Sequence, residues 1–219
     1  MEIAQAILVL QGFCGTNLTV TLARIEAALH GASVDTCGAS LTECRADTTA
    51  LTAAGLVKRL AGEINVVIHA LGILLCLPHI LEPGEIIEDV SLGAGNTGRP
   101  FDLETNMRIA EFKFIRWQGG PEAIRQNSLF KDFYCMAEHE CSKRRFLYVL
   151  GTDYALKFLN GGRALSSVLS RNVKLHDEFT EKFGQQYKTV RDYYVPRKHL
   201  VELKDVSPFI PELVGAGLD

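Results

Sequence analysis

The sequence predicts an α/β domain built on a small mixed central sheet with helices on both faces. Three observations predict it. Apolar residues recur at helical spacing through residues 17–77, the pattern changes to alternation between 85 and 117, and a further apolar strand follows an amphipathic helix at 146–151. With 219 residues, 47% hydrophobic and 22% charged, the chain has a globular composition, and disordered, collagen-like and coiled-coil classes are excluded.

Taken in order, residues 17–30 read as a helix with Asn17 as a cap and Gly31 at its close, and Asp47 opens a second over 47–60. Glu63 to Leu77 reads as a third helix, apolar enough to be central. The stretch Ile64–Leu81 is the most membrane-like in the chain, but His69, Pro78 and His79 within it favour a buried core helix over a span, so no membrane association is expected. Residues 85–92 read as a strand, followed by the glycine-rich loop 93–98. Two more strands, 101–104 and 107–117, flank a turn at Thr105-Asn106. Pro121 suits the first position of a helix running to about Glu140, with Phe130, Phe133, Tyr134 and Ala137 as its apolar stripe. A buried strand is expected at 146–151. Helices follow near 163–171 and 174–190, and the tail from Val206 reads as an extension. The whole is expected as one domain: a helical N-terminal extension (1–62), a core (63–151) and a C-terminal helical extension (152–219).

Charge is unevenly placed. The net charge is -3, yet residues 107–198 carry 17 basic against 10 acidic residues, while 1–106 carry 5 against 12. A positive stretch beside an acidic one is what a polyanion-binding surface next to a carboxylate site looks like, and it is equally what clustered solvated charge looks like. Arg116, Arg125, Lys131, Lys143, Arg144, Arg145, Arg163, Arg171 and Lys174 are the candidate phosphate contacts; Lys143-Arg144-Arg145 reads either as such a contact or as the charged end of a helix. Tyr187, Tyr193 and Tyr194 among Lys188, Arg191 and Arg197 read as packing residues, with stacking on bases or strand ends the alternative. Six cysteines without repeated spacing suit free, mostly buried thiols in a reducing compartment, here the cytoplasm, and Cys135, His139 and Cys141 lack the second ligand pair of a zinc site. Glu2 stands where a signal peptide has a positive residue, so the start reads as a first helix or strand. The glycine loop lacks the order of a nucleotide-binding P-loop, and the histidines show no nucleophile-partner pattern.

The chemistry concentrates in the hairpin. Side chains alternate along a strand, so Glu111 and Lys113 share one face while Ala110, Phe112 and Phe114 take the other. A two-residue loop at Thr105-Asn106, or a four-residue one, sets Asp102 opposite Ile109 on the face of Glu111; a three-residue loop turns it away. Two half-buried carboxylates on one face repel unless a positive group lies between them. Hard oxygens from Asp102, Glu111 and the Phe112 carbonyl suit Mg²⁺ or Mn²⁺, and Lys113 beside them can orient or help deprotonate the attacking water and can offset transition-state charge.

Pro100-Phe101-Asp102, an eight-residue gap and Glu111-Phe112-Lys113, set among helix, three strands, helix and strand, resemble the PD-(D/E)XK phosphodiesterase superfamily over about residues 63–151. The resemblance implies a restriction-endonuclease-like core and a metal-dependent nuclease. Asp102 and Glu111 would hold the cation, and Lys113 would serve catalysis. It also implies an acidic residue on the helix before the first core strand, where Glu63 stands, and a glutamine on the helix after the catalytic strand, where Gln126 stands. The partner implied is nucleic acid, with DNA the commoner substrate in that superfamily; a homodimer or larger assembly is left open. The alternative is a catalytically inactive subunit of the same fold that binds nucleic acid or protein.

Overall fold

The computed structural model describes residues 1–30, 33–93, 100–115, 117 and 122–215. The chain divides into two compact units, Met1–Asn65 and Val66–Asp219.

The first unit contains α1 (Ile3–Cys14), α2 (Leu18–Leu29), α3 (Val34–Glu43) and the first half of α4 (Thr48–Ile80). Asn17 caps α2 by accepting the Val20 amide, and Asp47 does the same for α4 through the Ala50 amide. Little of this unit is buried beyond Ala6, Ile25, Ala50 and Ala53, while Leu8, Val20 and Leu51 are exposed.

One 33-residue helix, α4, replaces the two expected over 47–60 and 63–77. Gly62 between them costs a helix about 1 kcal/mol without ending it, and Pro78 falls in the last turn, where only two residues follow. Nor is α4 the buried central helix expected. It is long and apolar enough to cross a membrane, and only 17% of its most apolar window is buried. Ile73, Cys76 and Ile80 form the buried side, and Leu71, Leu74 and Leu75 remain exposed.

The second unit is α/β, with a small mixed five-stranded sheet flanked by helices. Its strands are β1 (Ile87–Val90), β2 (Leu103–Thr105), β3 (Arg108–Lys113), β4 (Arg144–Val149) and β5 (Glu202–Asp205), in that spatial order. β1, β2 and β3 pair antiparallel, and β4 and β5 continue parallel to β3. Between β3 and β4 runs α5 (Ala123–Glu138). Between β4 and β5 run α6 (Asp153–Leu159), α7 (Leu165–Leu169), α8 (Val173–Phe183) and α9 (Val190–Arg197). A 3-10 turn at Ser207–Phe209 and α10 (Glu212–Gly215) follow.

The alternation of β3 and β4 sorts the core into two layers. Ile109, Leu147 and Val149 pack with α5 through α9, while Ala110, Phe112, Phe146 and Tyr148 pack with Ile73, Cys76 and Ile80 of α4. Gly72 allows α4 its close approach, because a Cβ there would stand 2.6 Å from the Phe114 ring. Inside the second layer Phe112 stacks on Tyr148 at 4.8 Å. Buried Arg108 joins Glu85, Glu82 and the Tyr148 hydroxyl, so its charge is compensated.

Several boundaries differ from expectation for local reasons. The hairpin turn is Asn106-Met107, one residue later than the expected Thr105-Asn106, because the Thr105 hydroxyl accepts the Met107 and Arg108 amides and leaves Thr105 in the strand. Arg144 and Arg145 open β4 rather than ending a helix, paired with Arg108 and Ile109. The helix expected at 174–190 is split by Gly184, at φ +56°, and restarted by a Thr189/Asp192 capping box. The C-terminal extension is not wholly helical, since Glu202–Asp205 adds an edge strand whose charged residues gave no strand signal. Five of the six free cysteines are half-buried and only Cys76 is buried, against the expectation of mostly buried thiols. Tyr193 and Tyr194 are buried packing residues, and the Tyr193 hydroxyl donates to Glu138 at 2.7 Å. Most of the glycine loop, Arg116 and Pro121 lie outside the described residues.

Candidate active site

Asp102 stands just before β2, and both its main chain and its side chain are held. Its carbonyl accepts the Ser91 amide at 2.8 Å, while its Oδ2 accepts the Phe112 amide at 2.9 Å. The carboxylate thus stands in for the next backbone acceptor of the β2–β3 ladder. Leu103 pairs with Ala110 and Glu104 with Ile109, so Asp102 is not opposite Ile109. The register differs by two from the expected one; Asp102 itself precedes the paired residues, and its charge is felt by both Glu111 and Lys113.

The face of Glu111 and Lys113 turns toward α5. Lys113 Nζ lies 3.5 Å from Glu111 Oε2 and 2.8 Å from Asp132 Oδ2 of α5, and the Ser128 hydroxyl donates to Asp132 at 3.4 Å. From the other layer His69 of α4 brings Nε2 to 3.3 Å from Asp102 Oδ1. An ionised carboxylate only accepts, so this contact requires the tautomer with hydrogen on Nε2. The His69 ring also meets Phe114 edge-on at 5.8 Å, one helical turn from the close contact at Gly72.

The charges in this cluster do not balance. Burial, the Asp132 charge and the Asp102 charge push the Glu111 carboxyl up to about 8, with Lys113 opposing them. Burial likewise raises Asp132, although Lys113 pulls the other way. Burial disfavours charge on Asp102 too, but the His69 and Phe112 hydrogen bonds outweigh it and hold that carboxyl below the usual range. For Lys113 burial is outweighed by Asp132 and Glu111, which keep it an ammonium well beyond neutral pH. Three carboxylates and one ammonium leave an excess of negative potential, and Glu111 registers it by retaining a proton.

The structure therefore brings Asp102, Glu111 and Lys113 together. Gln126 lies on α5, but its buried Oε1 has no partner among the described residues and makes no bond to the carboxylates. It sits six residues from Asp132, about a third of a turn round the helix. Glu63 is exposed on the part of α4 that belongs to the first unit, and the α4 side chain that engages Asp102 is His69 instead. The Phe112 side chain is buried on the opposite layer, leaving only its backbone at the site. His69 and Asp132 are the residues that sequence reasoning missed. For Asp132 a signal existed: an acid three residues after Leu129 and four before Met136 lies on the buried arc of the helix. No group of three or more His, Cys, Asp or Glu side chains is arranged to hold a metal ion among the described residues.

Four of the candidate basic residues are paired with carboxylates. Lys143 pairs with Glu88 and Glu104, Arg144 with Glu82, Arg125 with Glu122 and Lys174 with Glu178. Within Lys143-Arg144-Arg145, the first two are thus paired with carboxylates, and Arg145 donates to the His139 and Cys141 carbonyls. No family model matches the sequence, and no curated protein or solved structure matches the chain.

Proposed function

We propose that this chain is a metal-dependent nuclease that hydrolyses phosphodiester bonds, in DNA rather than RNA by the habit of the superfamily it resembles. The observation that carries the reading is the electrostatic proximity of Asp102, Glu111 and Lys113 beside β2 and β3. The finer fold assignment, a restriction-endonuclease-like core, draws support from the order of elements: a helix, three antiparallel strands, a helix, then a strand parallel to the third.

The donor chemistry fits Mg²⁺ or Mn²⁺. Glu111 is a half-buried carboxyl that burial and the Asp132 and Asp102 charges push up to about 8, which is an environment a divalent cation relieves. The strand geometry that sends the Phe112 amide toward Asp102 sends the Phe112 carbonyl to the same edge. Asp102, Glu111 and that carbonyl would hold the ion, and two carboxylates with substrate phosphate and water are a usual Mg²⁺ environment. When bound, the ion supplies a more acidic water and charge neutralisation at the phosphoryl group. Glu111 gives up its proton on binding, so affinity rises with pH. Lys113 is too firmly protonated to accept a proton, so its role is to donate hydrogen bonds to the water or a phosphate oxygen. Asp132 aims Lys113, and His69 with the Phe112 amide aims Asp102.

The test is cleavage of plasmid by purified protein with Mg²⁺ or Mn²⁺. Lys113→Ala should lower the rate by about 10²–10³-fold while binding changes little; equal cleavage by wild type and variant sinks the reading. A second reading, a catalytically inactive subunit that binds nucleic acid or protein, is favoured by the closed Lys113–Asp132 pair at 2.8 Å. It predicts binding by wild type without cleavage under any divalent cation.

A further inference from the structure

A cleft of about 370 Å³ opens beside the site, between α5, α7 and α8. Val168 and Leu175 line its apolar side, and Ser128, Lys131, Arg171 and Asn172 its polar side. It exists because α7 stops at Leu169 and the chain turns through Ser170–Asn172 into α8; the Asn172 amide donates to the Leu169 carbonyl and its side chain accepts the Leu175 amide. None of its described lining residues is acidic. Lys131 and Arg171 are both exposed and form no ion pair among the described residues, unlike Arg125, Lys143, Arg144, Lys174 and Lys182, each of which has a carboxylate partner.

We infer that this cleft is a second phosphate subsite, in which Lys131 and Arg171 hold a backbone phosphate of the polynucleotide whose scissile phosphate lies at Asp102, Glu111 and Lys113. The inference rests on the nuclease reading. Two like charges facing one concavity repel each other until an anion lies between them, and a phosphodiester accepts from both. Ser128 joins the two places, since it lines the cleft and donates to Asp132, the partner of Lys113. A strand seated at the reaction centre is thereby led over Ser128 into the cleft, so binding would draw on contacts that take no part in the chemistry.

The experiment is fluorescence anisotropy with a fluorescein-labelled oligonucleotide of about twenty nucleotides and the full chain in EDTA, repeated across a salt series. Each phosphate contact contributes about 0.7–0.9 to the slope of log affinity against log salt. The Lys131→Gln/Arg171→Gln double variant should lose about 1.5 of that slope and bind about tenfold more weakly at 0.1 M salt. Each single variant should lose about half as much slope, which keeps the test decisive if the double variant folds poorly. An unchanged slope with affinity within twofold overturns the subsite, as does a wild type that binds no oligonucleotide. Displacement of the probe by micromolar inorganic phosphate at constant ionic strength would mark a small-anion pocket and also overturn it. Cleavage decides the underlying reading separately: binding with the expected slope loss but no cleavage keeps the subsite and fails the enzyme, and cleavage with no slope loss does the reverse.

Discussion

Replacing Glu111 with glutamine should make this protein more stable in alkali and leave it unchanged in acid. The carboxyl moves from an ordinary 4.5 to about 8 on folding, through burial and the Asp132 and Asp102 charges. Between those values the folded chain holds a proton that the unfolded chain has released, so wild-type stability falls as pH rises through this window. The favourable contribution is complete below 4.5 and lost by about pH 8. Each tenfold change in proton affinity is worth about 1.4 kcal/mol, which sets an upper limit of roughly 5 kcal/mol. Glu111 is 15% exposed, so its side chain can relax toward water, and about 2 kcal/mol is the working figure. For a chain of this size that is roughly 4–8 °C in melting temperature.

The assay is a set of thermal melts of wild type and Glu111→Gln in EDTA at pH 5, 7 and 8.5. The gap should be near zero at pH 5 and should open to the full value at pH 8.5. Mg²⁺ at a hundredfold excess over Kd at pH 8.5 should stabilise wild type by about 2.7 kcal/mol, raising its melting temperature, and leave the variant in place. A gap of equal size at pH 5 and 8.5 would refute the account of Glu111, and an equal Mg²⁺ response in wild type, Glu111→Gln and Asp102→Asn would remove the cation from this site.

Further consequences follow from the same contacts. Asp132→Asn removes the largest charge acting on Glu111, so Mg²⁺ binding measured by calorimetry should reach its plateau at lower pH than in wild type. Glu85→Ala strands the buried Arg108 guanidinium and should cost about 3–5 kcal/mol in urea unfolding, whereas Glu85→Leu/Arg108→Met should cost clearly less. Gly72→Ala improves helix propensity yet drives a methyl into Phe114, so the net effect should be a loss of about 1–3 kcal/mol, with the His69 ring resonances displaced in NMR spectra. A stabilised Gly72→Ala protein would show that α4 does not approach the sheet as closely as 2.6 Å implies.

How far the hairpin could be read from sequence comes down to parity. Residues 108–114 alternate so cleanly that Glu111 and Lys113 had to share a face, and their placement holds wherever the turn falls. The pairing register was not legible, because it depends on the Thr105 hydroxyl taking the Met107 and Arg108 amides, a contact with no signature in the turn residues themselves. The resulting error of two residues keeps the parity of the β2–β3 pairing, since strand side chains repeat every second position; an error of one would have exchanged the two layers. Asp132 and His69 enter by a different route. Their distances to Lys113 and Asp102 are set by how α5 and α4 dock on opposite faces of the sheet, and docking depends on contacts such as Gly72 against Phe114 that leave no periodic trace along the chain. The apolar stripes announced that both helices pack, but a stripe fixes a direction and not a depth, and depth decides whether a carboxylate arrives within 2.8 Å of an ammonium group. The charge balance of the site, and with it the protonated state of Glu111, therefore belongs to the tertiary structure, while the identity of the two hairpin carboxylates and the lysine belongs to the strand pattern.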